Sequence, residues 1–174
     1  KVKVEQDSTF WLSKTPKKRS KDWDAAIERI CTYGLFTDLE SLEKVWIVNT
    51  HLDHIGQQSR VNSIKLIEGH IKGINSKNYP VVIIGDLNVE PDNELINNLK
   101  QNFTDTKEIS KLKFGPKGTF SGFNFSKPVT RRIDYIFVSK SPQIEVKKYA
   151  VLSDSKDLKY PSDHLPVFVH LELE

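Results

Sequence analysis

The chain is short of most features that classify a protein quickly. Its 174 residues include one cysteine, Cys31, so no internal disulfide can form. Without a second cysteine or a histidine at ligand spacing, Cys31 is no zinc site, and a buried or half-buried strand position is expected for it. No apolar run approaches the ~20 residues needed to cross a bilayer, and Lys1-Val2-Lys3-Val4-Glu5 lacks the long apolar core of a signal peptide. A soluble piece is expected, its compartment left open between secreted, periplasmic and cytoplasmic. Charge of one sign is also scarce: the net charge is +3 and the pI about 8.8. That slightly favours polyanionic substrates and falls far short of a dedicated nucleic-acid binder. There is no internal repeat and no low-complexity tract.

Apolar residues make up 37% of the chain, enough to bury the core of one domain or part of one. Residues 29–39 are rich in β-branched and aromatic side chains. The polar stretch 40–44 then leads into Val45-Trp46-Ile47-Val48, which reads as a hairpin delivering His51 at its far end. From Gln57 to about Asn75, apolar residues at Val61, Ile64, Ile67, Ile71 and Ile74 follow the period of an amphipathic helix. Pro80-Val81-Val82-Ile83-Ile84 is an uninterrupted apolar run, as in a strand covered on both faces, and it ends at Asp86. A second helix is expected after Pro91, with Asp92 as N-cap and Leu95, Ile96, Leu99 and Phe103 as its buried stripe. Residues 107–127, broken by Gly115, Pro116, Gly118 and Gly122, read as mostly loop, long enough to be expected to contact substrate. Further strands are expected over 133–139, 146–152 and 166–173. In the last, Val167, Val169, Leu171 and Leu173 alternate with Phe168, His170, Glu172 and Glu174. Interleaved strands and helices fit a layered α/β sandwich.

Four polar clusters stand at strand ends: Asn49-Thr50-His51-Leu52, Gly85-Asp86-Leu87-Asn88, Arg132-Ile133-Asp134-Tyr135 and Ser162-Asp163-His164. Rigid strand ends let Asp, Asn and His side chains converge on a substrate atom with little entropy left to lose. Each cluster also has an ordinary reading. Asp86 can cap a turn through neighbouring amides, Asp163 can cap a turn, and His51, His54 and His164 can be satisfied packing residues. Asp134 can form a surface ion pair with Arg131 or Arg132. The run Lys14, Lys17, Lys18, Arg19, Lys21 is expected to be a solvated loop, and Trp11 and Phe123 are expected in the core rather than as stacking platforms.

In chain order the set resembles the endonuclease/exonuclease/phosphatase family, the DNase I-like group. The segments 10–16, Trp23-Asp24-Ala25-Ala26 and 119–123 are similar to those of a bacterial branch. The resemblance implies an α/β fold of two packed sheets flanked by helices, and a Mg²⁺- or Mn²⁺-dependent phosphoesterase expected to cleave a phosphodiester. By matching motif positions it implies that Asp86 activates water with Asn88 and that His164 meets the phosphoryl group with Asp134 fixing its tautomer. It further implies that His51 donates to a phosphate oxygen and that Asp163 and Asp86 serve the metal; Arg29, opening a strand of the same sheet, is separately expected to contact phosphate. The substrate is a phosphate ester of a nucleic acid, a lipid headgroup or a sugar. The family's early Asn and metal-binding Glu have no counterpart upstream of His51. Residues 1–174 are therefore expected to be the C-terminal portion of a single domain, impaired as an enzyme and prone to pair with itself or with the missing segment. The competing reading is a non-catalytic phosphate-binding fragment of the same fold.

Overall fold

The computed structural model describes residues 1–173; Glu174, placed above in the final alternation, lies outside the described residues. The chain divides into two units, Lys1–Asn88 and Val89–Glu174.

The first unit is built on four strands in the order β1 (Val2–Trp11), β2 (Ile30–Asp38), β3 (Lys44–His51) and β4 (Val81–Asp86), with α1 (Gln57–Ile74) between β3 and β4. The hairpin expected between residues 29 and 48 is β2–β3, antiparallel, with Cys31 opposite Thr50 and Thr37 opposite Lys44. Its turn is set by Asp38, whose Oδ1 accepts from the amides of Glu40 (2.7 Å) and Ser41 (3.1 Å), and by Leu42 at φ 63°. β3 runs parallel to β4, placing His51 opposite Asp86; a parallel pair requires a crossover, which is where α1 falls. α1 buries Ile64, Ile67 and Ile71, the stripe its sequence announced. Cys31 is fully buried, and burial pushes its thiol up to about 12.

β1 was not foreseen as a ten-residue strand. It pairs with β2 from Val2 opposite Asp38 to Trp11 opposite Ile30, while its first eight residues are exposed. Backbone pairing rather than burial makes it a strand, so hydrophobic periodicity carried little trace of it.

The second unit contains α2 (Glu94–Leu99), β5 (Phe103–Asp105), α3 (Thr106–Ile109), β6 (Leu112–Phe114), β7 (Asp134–Ser139), β8 (Ile144–Val151) and β9 (Val167–Leu173). β5 pairs antiparallel with β7, and β6-β8-β9 form a three-stranded sheet. The expectations need correction in two places. α2 is capped by Asn93, whose side chain accepts from Leu95 N at 2.9 Å, not by Asp92. Phe103 leaves the helix for β5. The stretch 107–127, mostly loop, also holds the end of α3 and all of β6. α2, β5, α3 and β6 are short elements, below the length at which propensity decides. The alternation of β9 is present, with its inward residues half-buried. Val129, Tyr149, Val151 and Leu165 form a core beneath it, joined by Tyr160, Val167 and Val169.

Candidate active site

In the first unit the β3–β4 register sets the site. Gly85 lies opposite Thr50 at φ 139°, and an added Cβ would fall 1.8 Å from the Thr50 carbonyl oxygen, so only glycine allows β4 to run this close to β3. The next residues then face each other as side chains: His51 Nε2 lies 3.1 Å from Asp86 Oδ2, with the imidazole 54% exposed and the carboxylate 10%. The other carboxylate oxygen, Oδ1, accepts from Asn88 N at 2.8 Å. The turn-capping reading of Asp86 and its pairing with His51 therefore both hold, one per oxygen. Asn88 adopts φ 54°, a conformation Asn tolerates. Its Nδ2 donates to Leu52 O (3.0 Å), and Leu52 N donates to Asp86 O (2.9 Å). These bonds lace the His51 and Asp86 segments together and commit the Asn88 amide nitrogen to the scaffold.

A second lacing lies behind them. Asp53, buried, accepts four backbone N–H bonds: from Ala26 and Ile27 on Oδ2 and from Ile55 and Gly56 on Oδ1, at 2.7 to 3.2 Å. Burial alone would raise its carboxyl, but these bonds outweigh burial and hold it well below the usual carboxylate range. Asp24 accepts from Gln58 N (3.0 Å) and Ser59 N (2.6 Å), capping α1 from 34 residues away. Arg29 immediately precedes β2, and its Nη2 lies 3.4 Å from His54 Nδ1.

In the second unit Asp134 opens β7 and both its oxygens face His164 Nδ1, at 3.1 and 2.9 Å. The side chains are 28% exposed for His164 and 19% for Asp134. The ion pair weighed above for Asp134 is not what forms: Arg131 pairs with Glu90 (3.3 Å), and buried Arg132 pairs with buried Asp105 (2.6 Å). The segment Thr119-Phe120 braces the Asp134–His164 pair. Thr119 Oγ1 accepts from Ile133 N and Asp134 N, each at 3.1 Å, and Leu165 N donates to Thr119 O at 2.7 Å. The Phe120 ring stands edge-on to the His164 imidazole, centroids 5.0 Å apart. Asp163 contributes its carbonyl oxygen to Ser121 N (2.7 Å) and Gly122 N (3.1 Å), while its Oδ1 accepts from Ser162 Oγ at 3.3 Å.

Within each unit the structure thus brings together His51, Asp86 and Asn88, and likewise Asp134 and His164, whereas the Asp163 carboxylate meets Ser162 beside them. Sequence reasoning passed over Asp53 and gave no role to Asp24 or Thr119, although the segments holding these two carried the resemblance; their work is visible largely through backbone amides distant in sequence. Phe123, expected in the core, is 64% exposed; its φ of 62° puts it in a turn that points outward. The lysine run is solvated, with Lys14 paired to Asp22 and Arg19 to Glu28.

The Endonuclease/Exonuclease/phosphatase family model matches residues 11–164. No curated protein matches the chain. Solved structures do. A functionally unknown conserved protein from Enterococcus faecalis V583 shares 33% identity at a TM-score of 0.92, the match covering 100% of this chain and 68% of that one. An endonuclease/exonuclease/phosphatase family protein from Bacteroides thetaiotaomicron shares 34% identity at 0.92, covering 100% and 67%. A mannosyl-6-phosphatase from Bacteroides thetaiotaomicron VPI-5482 shares 35% at 0.90, covering 98% and 67%. The fold is the α/β, two-sheet DNase I-like fold of these proteins. By profile and by structure, then, the chain belongs to the endonuclease/exonuclease/phosphatase family.

Proposed function

We propose that this chain is the C-terminal portion of a single phosphoesterase domain comprising both units, and that the domain hydrolyses a phosphodiester by in-line attack of water. The single observation that carries the reading is the two-oxygen grip of Asp134 on His164 Nδ1. A carboxylate in that position fixes the imidazole tautomer and its orientation, assigning the chemistry to Nε2. His164 then meets the phosphoryl group, and Asp134 acts through it. Asp86, with one oxygen held by a backbone amide, keeps the other for a proton shared with His51 or with the attacking water. Asn88 orients that water through its amide oxygen. His51 donates to a non-bridging oxygen as charge develops there, and Arg29 adds a further cation toward phosphate.

Among the described residues, oxygen donors that suit a hard cation include Asp86 in the first unit and Asp134 in the second. Asp86 and Asp163 are the proposed carboxylates for Mg²⁺ or Mn²⁺, which would supply charge neutralisation on the phosphoryl oxygens. The likeness to the mannosyl-6-phosphatase favours a second reading, a phosphosugar monoester as substrate. Exposed apolar residues in the second unit, Leu112, Phe114 and Phe168, are consistent with association of this chain with an N-terminal segment or with itself.

The test is a phosphate-release screen on diester and monoester substrates, with this chain and with a protein extended at its N-terminus to the length of its relatives. Activity is expected to be slow in the former, faster in the latter, abolished by chelation and restored by Mg²⁺ or Mn²⁺. Full activity in excess chelator would sink the metal-dependent reading.

A further inference from the structure

Arg29 and His54 occupy the rim of the first unit's sheet that also carries His51 and Asp86. β2 is antiparallel to β3 and β3 is parallel to β4, so the start of β2 and the ends of β3 and β4 share one edge. Across it stand Arg29, His51 and Asp86. The loops that carry Arg29 and His54 are held by the four amide bonds of Asp53 and by the Asp24 cap on α1, so the backbone that presents the two side chains is fixed.

What the pair lacks is a counter-charge. Arg29 is half-buried, its Nη2 meets only the imidazole of His54, its Nε is buried without a hydrogen-bond partner, and no carboxylate among the described residues pairs with it. Elsewhere the buried guanidinium of Arg132 is neutralised by Asp105. A desolvated guanidinium facing an imidazole has lost water without gaining an anion, and an arginine fork beside an imidazole N–H matches the oxygens of a phosphoryl group.

We propose that Arg29 and His54 form an anion subsite that receives a second phosphoryl group of the substrate, next to the one hydrolysed. This deepens the phosphoester reading given above and rests on it. The favoured substrates are therefore those with two anionic groups, and a simple monophosphate ester forgoes part of the available binding.

Titration calorimetry of this chain with a hexose bisphosphate and the corresponding hexose monophosphate tests the subsite. The wild type should bind the bisphosphate at least about tenfold more tightly, and Arg29→Gln and His54→Gln should each reduce that advantage to less than about threefold. His54 is exposed, so His54→Gln keeps the test decisive even where Arg29→Gln fails to fold. Failure of the wild type to prefer the bisphosphate, or survival of the full preference in His54→Gln and in any folded Arg29→Gln, overturns the subsite. A hexose phosphate carrying a carboxylate in place of the second phosphate separates the sources. A retained advantage marks a general anion subsite, and a lost one marks a phosphoryl subsite. The titration reads no turnover, so loss or retention of hydrolysis in Asp86→Asn judges the phosphoester reading independently.

Discussion

Each unit sets an imidazole against a carboxylate, and the two pairs are built in different ways. His51 and Asp86 sit on paired strand ends, so ladder register alone brings them within 3.1 Å, and the histidine is left 54% exposed. Asp134 and His164 lie 30 residues apart, one at a strand start and the other in an irregular run. They need the Thr119-Phe120 segment between them, and both carboxylate oxygens are drawn to one nitrogen. Regular secondary structure sets a distance cheaply but leaves the side chain mobile. A braced pair in irregular chain costs more residues and fixes the ring more tightly.

Removing the chemistry from the braced pair should give the largest effect. His164→Ala is expected to lower phosphoester turnover by about 10³-fold and Asp134→Asn by about 10²-fold or more, against about tenfold for the exposed His51→Ala. Steady-state kinetics on folded variants of an active, N-terminally extended protein check this, and equal losses at His51 and His164 would erase the contrast.

The scaffolds can be broken separately. Asp53→Asn should cost the first unit about 3 kcal/mol at neutral pH, because two of the four amides lose any acceptor and the other two lose an ionised one. The Asp53 carboxyl is depressed in the folded state, so its contribution is fully present above the unfolded value near 3.9 and is lost as pH falls through the lower folded value. Denaturant titrations should therefore show the gap between wild type and variant narrowing below about pH 4. A gap independent of pH would mean the charge on Asp53 does not matter.

For the second unit, Thr119→Val keeps the shape but strips the acceptor from Ile133 N and Asp134 N, at an expected cost of about 2 kcal/mol, whereas Thr119→Ser should cost less than about 1. Amide hydrogen exchange at Ile133 and Asp134 should accelerate in the valine variant alone.

The smallest effect is expected at His70, packed between Phe10 and Tyr33 with ring centroids 4.6 and 4.7 Å away and its Nε2 buried without a partner. Burial lowers its pKa. Its neutral form is accordingly stable above the unfolded value near 6.5, and that stability is lost as pH falls below it. His70→Phe should lie within about 1 kcal/mol of wild type at pH 8 and should lose less stability than wild type on moving to pH 5, read as melting temperatures.

The sequence by itself determined the family, the α/β class, the β2–β3 hairpin, α1 and the apolar run that becomes β4. Each of these is specified locally, by period, by turn chemistry or by motifs at strand ends. It also indicated that Asp134 would hold a nitrogen of His164, through the resemblance carried by Arg132-Ile133-Asp134-Tyr135 and Ser162-Asp163-His164. Only the tertiary structure decided that β1 is a strand, that Asn93 rather than Asp92 caps α2, and that Arg132 turns inward to Asp105 and leaves Asp134 to His164. The same holds for Asp53, Asp24 and Thr119, which hold backbone amides from 14 to 35 residues away. A side chain bonded to a distant main chain leaves no periodicity and no motif, because its partner is an amide that every residue except proline carries, and only the folded path of the chain says which amide comes within reach.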